Sequence, residues 1–383
     1  MKRNYIAKRF QNAGSGLTLD TEALAKYKDI IDLSIGDTDF ITDEGIINAA
    51  FRDAKAGYTR YGDPKGDPEL IDAVCRAWQE DFEQKLPHDH VLVSASSCLG
   101  MALVMFSILD PGDEVIVFSP YFPMYRTQIE LAGGVCVDVP TYASEDYAID
   151  EARLRAAITP RTKAIIFNNP TNPTGMAYGN DTLEMLARVA KEYDLLIAAD
   201  EIYTTYLYEG DFRPLRTLPG MAERTITLNS FSKNFLMTGW RVGVIIAEPE
   251  LLEVMNDING SLIYTAPSIS QRAAIHALSM RREIREKYVT AYRDRIFYTA
   301  DRIEKIPYLS LVRPKGTFYL FPGIEKTGLT DDEFCNVLLD KAHVLVSHGK
   351  AFGTAGAGHF RIACTVGIDT LKIAFDRIEK LSF

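Results

Sequence analysis

The chain has 383 residues, which is enough for two or three domains if one domain takes about 150 residues. Its composition, 47% hydrophobic and 25% charged, is typical of a soluble globular protein with a large core. The net charge of −10 argues against a general affinity for nucleic acid or for an anionic membrane, so an anionic ligand would need a local basic site.

Cysteine usage and apolar runs indicate where the protein works. The five cysteines are far apart and none has Cys-x-x-Cys spacing, which favours a reducing, cytoplasmic location. The longest apolar run, residues 101–109, is shorter than the ~18 residues that a membrane-spanning helix needs. The basic first nineteen residues contain no signal-type apolar region, and we interpret them as an N-terminal arm.

No metal site is predicted.

The N-terminal part begins with a short predicted strand within residues 29–40, which ends in Gly36-Asp-Thr-Asp-Phe. Glycine permits a close backbone approach there, although a plain turn explains the same residues. One helix is predicted over about 43–56, and a second helix follows the next loop and ends at about residue 85. The loop between them is rich in Gly and Pro and carries Tyr58 and Tyr61, which in isolation would be packed surface tyrosines.

Two predicted strands, 91–95 and 114–119, are each followed by a distinctive loop. Ser96, Ser97 and Cys98 follow the first strand and open an apolar helix, whose N–H groups and dipole favour an anion. An ordinary serine N-cap is the alternative. The second strand is followed by Tyr121 and Phe122, which suit either a core or a ring-stacking site.

The next two predicted strands, 163–167 and 195–199, end in polar residues. The first leads into a loop with two Asn-Pro pairs, which includes Asn172 and is stiffened by its prolines. The second ends in Asp200 and is closely followed by Tyr203. Ligands of open α/β sheets bind beyond the carboxyl ends of the strands, so these loops are predicted to converge.

A predicted strand over 225–228 leads into a loop in which Lys233 follows Ser230 and Ser232 and precedes Arg241. A lysine forms a Schiff base with an aldehyde cofactor only as the neutral amine. Because a free lysine has a pKa of about 10.4, such a site must disfavour the ammonium form. Arginine and small hydroxyls supply donors for a phosphate. An exposed lysine with a salt-bridged arginine is the alternative.

The C-terminal part is richer in charged residues. One long charged helix is predicted over 270–305, a strand over 316–321 and a further helix over 331–341. The glycine-rich run 353–358 lacks the spacing of a dinucleotide-binding loop. Arg361 stands in an apolar strand over 359–364 and needs a partner, which could be an internal carboxylate or a bound one.

Together these motifs resemble the class I and II aminotransferases, which use pyridoxal 5'-phosphate (PLP). The resemblance covers essentially the whole chain and is most specific at Ser-Phe-Ser-Lys with Gly-x-Arg-x-Gly, and at Asn-Pro-Thr-Gly. It implies the α/β fold of fold-type I PLP enzymes, with a large domain over 46–275 built on a mostly parallel seven-stranded sheet. A smaller α/β domain would combine 1–45 with 276–383, and the active site would lie between the domains at a homodimer interface.

The resemblance also implies a role for each matching residue. Lys233 would hold PLP and move the substrate proton, and Asp200 would keep the pyridine nitrogen protonated. Phe122 would stack on the ring, while Asn172 and Tyr203 would bind its phenolic oxygen. The implied phosphate ligands are Ser96, Ser97, Cys98, Ser230, Ser232, Arg241 and, from the neighbouring subunit, Tyr61, for which Tyr58 is the near alternative.

At the substrate side, the resemblance places Arg361 on the α-carboxylate, with Gly36 and Asn172 beside it. Two positions depart from the family pattern, because Thr38 replaces the usual proline and Ser97 the usual glycine. The implied reaction moves an amino group from an L-amino acid to a 2-oxo acid, with aspartate and 2-oxoglutarate as first candidates. No second arginine can be placed beside a side-chain carboxylate.

Two other functions remain open on the sequence. A PLP-dependent C–S β-lyase would share the fold and the lysine, but would release pyruvate, ammonia and a thiol. A non-catalytic binding module could also keep this fold. The complete set of lysine, aspartate, asparagine and arginine argues against the binding module.

Overall fold

The computed structural model describes residues 5–7 and 26–383. The predicted N-terminal arm therefore lies largely outside the described residues. In the part of the chain that is described, no helix is both long enough and apolar enough to cross a membrane.

The strands of the described chain are short and are numbered here in chain order. They are β1 (Ile31–Asp32), β2 (Val91–Ser94), β3 (Glu114–Ser119), β4 (Val135–Pro140), β5 (Thr162–Asn168), β6 (Leu196–Asp200), β7 (Thr225–Ser230), β8 (Gly243–Ile246), β9 (Tyr319–Leu320), β10 (Val344–Leu345), β11 (Ser347–His348) and β12 (Phe360–Ala363).

The helices of the same residues are numbered in the same way. They are α1 (Glu44–Lys55), α2 (Pro68–Phe82), α3 (Ser97–Ile108), α4 (Met124–Leu131), α5 (Glu151–Ala157), α6 (Asn180–Glu192), α7 (Phe231–Asn234), α8 (Pro249–Leu262), α9 (Ser268–Ser279), α10 (Arg281–Ile303), α11 (Asp331–Val337) and α12 (Ile368–Ile378).

The large sheet has seven strands in the order β2-β8-β7-β6-β5-β3-β4. Neighbouring strands are parallel except at β8, which is antiparallel to both β2 and β7. The prediction of a mostly parallel seven-stranded sheet is confirmed. All six residues of β3 are buried, as expected for a strand covered by helices on both faces.

Hydrophobic cores cover both faces of this sheet. On one face, α3 and α8 pack on the strands around Met105, Leu228 and Ile245. On the other face, α6 buries Leu183, Leu186, Val189 and Ala190. The 3–4 residue spacing of these side chains is that of an amphipathic helix. The sheet is therefore the middle layer of three, and its edges are free to carry loops.

A further core lies outside the large sheet. It joins β1 and β10, which are parallel, to the antiparallel sheet β11-β12-β9 and to α10, α11 and α12. Its members fall in residues 31–33 and 296–378. The two ends of the described chain therefore meet in one apolar cluster.

The structure corrects three predicted elements. The single helix expected over 270–305 is two helices, α9 and α10, separated at Met280, whose φ of −100° and ψ of 6° interrupt the helix. Arg281 starts the second helix and pairs with Glu80 and Asp81 of α2, a tertiary contact that local sequence does not reveal. The strand expected over 316–321 shrinks to β9, because Thr317 has a φ of 60°.

The third correction concerns the strand expected within residues 29–40, of which only β1 is extended. The backbone N–H and the hydroxyl of Ser34 both donate to the Asp32 carboxylate, and these local bonds form a turn. The chain is thereby directed toward Gly36 and the edge of the large sheet.

Candidate active site

A cavity of about 590 Å³ lies between the large sheet and the small sheets. It collects thirteen of the fourteen residues to which the resemblance gives a role. These are Gly36, Ser96, Ser97, Cys98, Phe122, Asn172, Asp200, Tyr203, Ser230, Ser232, Lys233, Arg241 and Arg361.

The direction of the strands explains why these residues meet. The strands β2, β3, β5, β6 and β7 run in one direction, so the residues that follow them lie at one edge of the sheet. Because β8 runs the opposite way, Arg241, which precedes it, reaches the same edge. The predicted convergence of the loops is thus a consequence of the sheet topology.

Tyr61 is the residue that the cavity leaves out. Its side chain is 85% exposed, and its ring contacts the edge of Tyr264 at a centroid distance of 5.2 Å. Within one protomer Tyr61 is therefore a surface residue.

Lys233 lies in the short helix α7, whose N-cap Ser230 accepts a hydrogen bond from the Ser232 backbone N–H at 3.1 Å. The Nζ of Lys233 donates to the carbonyl oxygen of Gly36, and Tyr206 donates its hydroxyl to the Lys233 carbonyl at 2.7 Å. A Cβ at Gly36 would lie 1.8 Å from the Tyr319 hydroxyl oxygen. Glycine is therefore required at position 36 for close approach.

Asp200 ends β6 and is buried in the cavity wall. One carboxylate oxygen accepts a hydrogen bond from the Tyr125 hydroxyl, while the other is buried without a hydrogen-bond partner. Burial raises the pKa of the Asp200 carboxyl to about 6. A buried carboxylate oxygen with no partner is suited to accept an N–H from a protonated pyridine nitrogen.

The cavity wall also contains hydrogen-bond donors that are not fully used within the described residues. The N-cap Ser96 accepts from the Leu99 N–H at 3.1 Å, and the hydroxyl of Ser97 is buried without a partner. The guanidinium of Arg241 donates to the Thr238 carbonyl at 2.9 Å and forms no ion pair within residues 26–383. Together with the free N–H groups at the start of α3, these donors fit a phosphate.

Arg361, on β12, is 5% exposed and also lines the cavity. Its guanidinium donates to the Asn172 side-chain oxygen at 2.9 Å, to the Ser347 hydroxyl at 3.3 Å and to the Ser34 carbonyl. Its Nε is buried without a partner, and burial lowers the pKa of the guanidinium. None of its partners in the described chain is a carboxylate, so the alternative of an internal salt bridge is wrong.

A buried cation without a counter-ion is unfavourable, and an anionic ligand would relieve this. Asn172 is placed to assist, because its side-chain oxygen faces Arg361 while its NH₂ group has no acceptor in residues 26–383. The Tyr203 hydroxyl lies 3.1 Å from the Tyr319 hydroxyl. Phe122 lines the cavity with its ring edge-on to Tyr125 at 5.6 Å.

Sequence reasoning missed several residues of the cavity. Tyr125 is three residues after Phe122, and Tyr319 lies in a predicted strand; their only sequence signal is a phenol in an apolar context. Asn168 is the last residue of β5, directly before the Asn-Pro loop, and donates to the Asp200 carbonyl at 2.8 Å. Apolar residues also line the cavity, and they include Ile35, Leu339, Leu345 and Val346.

Comparison with known proteins adds an independent finding. Residues 28–378 match the sequence family described as aminotransferase class I and II. The chain is 36% identical over 373 residues to an aspartate aminotransferase of Pyrococcus abyssi, covering 93% of this chain and 92% of that protein. It is 34% identical over 359 residues to an arginine–pyruvate transaminase of Pseudomonas aeruginosa, covering 93% and 91% of the two chains.

The fold is similar to that of solved structures as well. The alanine aminotransferase from Pyrococcus furiosus superimposes with a TM-score of 0.93 at 33% identity, covering 98% of each chain. This solved relative therefore shares the architecture of the chain, and the names of the three relatives refer to different amino acids.

Proposed function

This chain belongs to the class I and II aminotransferases, which are PLP-dependent enzymes, and on that premise we propose that the cavity around Lys233 is its active site. The proposal rests on the set of residues that line this one cavity. It has an amine at Lys233, a free carboxylate oxygen at Asp200, unfilled donors at Ser97 and Arg241, and an unpaired guanidinium at Arg361.

The residues present fit the cofactor. Lys233 would hold it covalently, Asp200 would accept its pyridine N–H, and Phe122 would lie against its ring. Asn172 and Tyr203 would donate to its phenolic oxygen. The proposed phosphate ligands are Ser96, Ser97, Cys98, Ser230, Ser232 and Arg241. When bound, the cofactor supplies an electron sink for the charge that develops when a substrate proton leaves.

The protein's own groups bind and orient the amino acid. Arg361 would bind its α-carboxylate with two parallel hydrogen bonds, assisted by Asn172 and the backbone at Gly36. The neutral Nζ of Lys233 would take the proton from the substrate Cα and later return one. The Gly36 carbonyl, which accepts from Nζ in the structure, limits where this amine can move.

We propose aspartate and 2-oxoglutarate as the first substrates to test, because the Pyrococcus abyssi relative is an aspartate aminotransferase. In the described residues, the arginines and lysines that line the cavity are Lys233, Arg241 and Arg361, and each already has a proposed role. A side-chain carboxylate would thus need a cation from elsewhere. A panel of amino donors with 2-oxoglutarate, followed by glutamate formation, decides the substrate.

The relatives compared above are aminotransferases, which favours transamination over the β-lyase and binding-module alternatives. Incubation with cystathionine tests the lyase directly, because elimination would release pyruvate and ammonia without any 2-oxo acid acceptor. A purified protein that binds no PLP and converts no amino acid would instead indicate a binding module.

Lys233→Ala tests the assignment of the cofactor lysine. We expect this variant to lose both turnover and the visible absorbance of the bound cofactor, because no covalent link can form. Lys163→Ala is the matched control, since Lys163 pairs with Asp113 at 3.2 Å, on the surface and outside the cavity. A normal visible band in Lys233→Ala would refute the assignment.

We also propose two domains, a large one over 46–275 and a small one from 1–45 and 276–383. The large sheet falls within residues 91–246, whereas the separate core described above falls in residues 31–33 and 296–378. This separation supports the division. Limited proteolysis that releases a fragment with an intact large sheet would support it further, and a single uncleavable body would not.

A homodimer with shared active sites is the proposed assembly, in which Tyr61 would reach the cofactor phosphate of the neighbouring subunit. The exposed ring of Tyr61 against Tyr264 and the 53% exposed Leu262 support this surface as an interface. Light scattering gives the mass, and Tyr61→Phe should weaken PLP binding. We propose a cytoplasmic location, which the five free cysteines support.

A further inference from the structure

Tyr319 lies on the same face of the small antiparallel sheet as Arg361. In the register, Tyr319 is opposite Ala363 and Ser347 is opposite Arg361. Residues directly opposite share a face, and alternate residues along a strand do so too. Tyr319, Ala363, Arg361 and Ser347 therefore face the cavity side together. Leu320 and Ile362 point the other way, into the separate core.

The ring of Tyr319 lies against the guanidinium of Arg361. The Cζ of Arg361 is 4.5 Å from the Tyr319 ring centroid and 4.8 Å from that of Phe352. Aromatic faces attract a cation without neutralising it. The two rings therefore hold the guanidinium in place and leave its charge available to a ligand. An internal carboxylate would instead neutralise that charge.

The hydroxyl of Tyr319 is fixed separately from its ring. It lies 3.1 Å from the Tyr203 hydroxyl, and it occupies the space that a side chain at Gly36 would fill. The backbone N–H of Tyr319 donates to the Thr317 hydroxyl at 3.1 Å, which fixes the start of β9. Tyr319 is 2% exposed, so its phenol has little freedom to turn.

We propose that Tyr319 is a positioning residue with two separable effects on the reaction. Its ring orients Arg361 for the substrate carboxylate. Its hydroxyl donates to Tyr203, so that the single proton of the Tyr203 phenol stays available to donate into the cavity. This inference rests on the proposed function, because it assumes the roles given there to Arg361 and Tyr203.

Either hydroxyl could donate in the structure, and the direction follows from the proposed role of Tyr203. Each phenol has one O–H donor and can also accept. If Tyr203 donated to Tyr319, it would have no proton left for a ligand in the cavity. With Tyr319 as the donor, Tyr203 accepts that bond and keeps its own proton for a ligand in the cavity.

Two variants separate the effects. Tyr319→Phe keeps the ring and removes the hydroxyl. We expect it to leave the KM for the amino donor within about twofold and to move the pH midpoint of the cofactor's visible absorbance upward. The shift should be roughly 0.5–1 pH unit, the equivalent of one hydrogen bond. Tyr308→Phe is the control, because the Tyr308 hydroxyl donates to the Ile378 carbonyl at 2.6 Å, outside the cavity.

Tyr319→Leu removes the ring as well. We expect the KM for the amino donor, and the dissociation constant of a non-reacting carboxylate measured by calorimetry, to rise about tenfold. An unmoved pH midpoint in Tyr319→Phe, or an equal shift in Tyr308→Phe, would overturn the role of the hydroxyl. Unchanged carboxylate binding in Tyr319→Leu would overturn the role of the ring.

These outcomes are distinguishable from a failure of the proposed function. If the wild-type protein converts no amino acid with any 2-oxo acid, the proposed function is wrong whatever the variants do. If the wild type is active and both Tyr319 variants behave like it, the inference about Tyr319 alone is wrong. If Tyr319→Leu does not fold, Tyr319→Phe still tests the hydroxyl, and Phe352→Leu tests the aromatic support of Arg361 from its second ring.

Discussion

The hydroxyl of Tyr125 donates a hydrogen bond to one oxygen of Asp200, and the second oxygen of that carboxylate has no partner. Tyr125 stands on α4 after β3, and Asp200 ends β6, so the two meet only at the carboxyl edge of the sheet. Burial raises the pKa of both groups, to about 6 for Asp200 and well above its usual value for Tyr125. Tyr125 therefore remains a donor, and the hydrogen bond opposes the rise at Asp200.

The first prediction concerns the stability of the cofactor-free protein. The pKa of Asp200 is raised from 3.8 to about 6, so the unfolded chain loses this proton first as the pH rises. Asp200 therefore lowers stability progressively between about pH 4 and pH 6, and the loss persists above that range. Asp200→Asn should be more stable than wild type at pH 7 by on the order of 1–3 kcal/mol, and this advantage should vanish near pH 4.

Thermal unfolding of both cofactor-free proteins across this pH range is the measurement. The same variant should bind PLP yet react slowly, because a neutral amide does not keep the pyridine nitrogen protonated. Wild-type rates in Asp200→Asn would contradict the role given to this carboxylate. Tyr125→Phe is the companion variant, and by removing a donor it should raise the pKa of Asp200 further.

A second prediction concerns Glu201, the neighbour of Asp200, which does not line the cavity. Burial raises its pKa from 4.5 to about 8, although it accepts a hydrogen bond from the Leu215 N–H at 3.1 Å. Stability should consequently fall as the pH rises from about 5 to about 8. Glu201→Gln keeps an acceptor oxygen and removes the group that ionises. Denaturant unfolding at pH 8 should therefore show that the variant is more stable than the wild type. An equally steep pH dependence in the variant would contradict this.

A third prediction addresses the substrate carboxylate. Arg361→Ala should raise the KM for amino donors on the order of 100-fold, because two charge-assisted hydrogen bonds are lost. Arg361→Lys should restore part of the loss, since it keeps the charge without the planar fork. Steady-state kinetics with saturating 2-oxo acid provide the measurement.

Arg295 offers a matched control for this experiment. It is also buried, but it is paired with the Asp39 carboxylate at 2.7 and 2.9 Å and does not line the cavity. Arg295→Lys should change stability more than KM. If Arg361→Ala left the KM unchanged, the substrate carboxylate would bind elsewhere.

A fourth prediction tests the close approach at Gly36. Gly36→Ala places a Cβ 1.8 Å from the Tyr319 oxygen and 2.8 Å from its Cζ, so the loop or the phenol must move. We expect a loss of about 1–3 kcal/mol in stability, as for other overpacked sites, and lower activity because Lys233 bonds to the Gly36 carbonyl. Denaturant unfolding and kinetics measure the two effects.

The double variant Gly36→Ala/Tyr319→Phe distinguishes this clash from other effects. Removing the phenol oxygen relieves the shorter contact, so the two substitutions should destabilise less together than their separate effects predict. If the two effects simply added, the clash between a side chain at position 36 and the Tyr319 hydroxyl would not be the cause of the destabilisation.

The sequence predicted the loops at the carboxyl edge of the sheet better than it predicted helix ends and individual cavity residues. Motifs such as the Asn-Pro loop and the lysine loop were found because turn residues and strand-like runs are local signals. The helix break at Met280 was missed because no glycine or proline marks it in residues 268–303, and the nearby ion pairs from Arg281 to α2 are tertiary contacts. Tyr125 and Tyr319 were missed because a single phenol in an apolar stretch carries no spacing signal. The role of Tyr61 stays a prediction, because it concerns a second subunit.

By itself, the sequence determined which chemical groups are present and which of them follow strands: the lysine, the carboxylate, the amide and the arginine. Only the tertiary structure decided how they act on one another, because the interacting pairs are distant in the chain. Lys233 and Gly36 are 197 residues apart, and Arg361 and Asn172 are 189 residues apart. Sheet register brings such groups into contact, and burial by other elements raises the pKa of the Asp200 carboxyl, so neither property can be read from neighbouring residues.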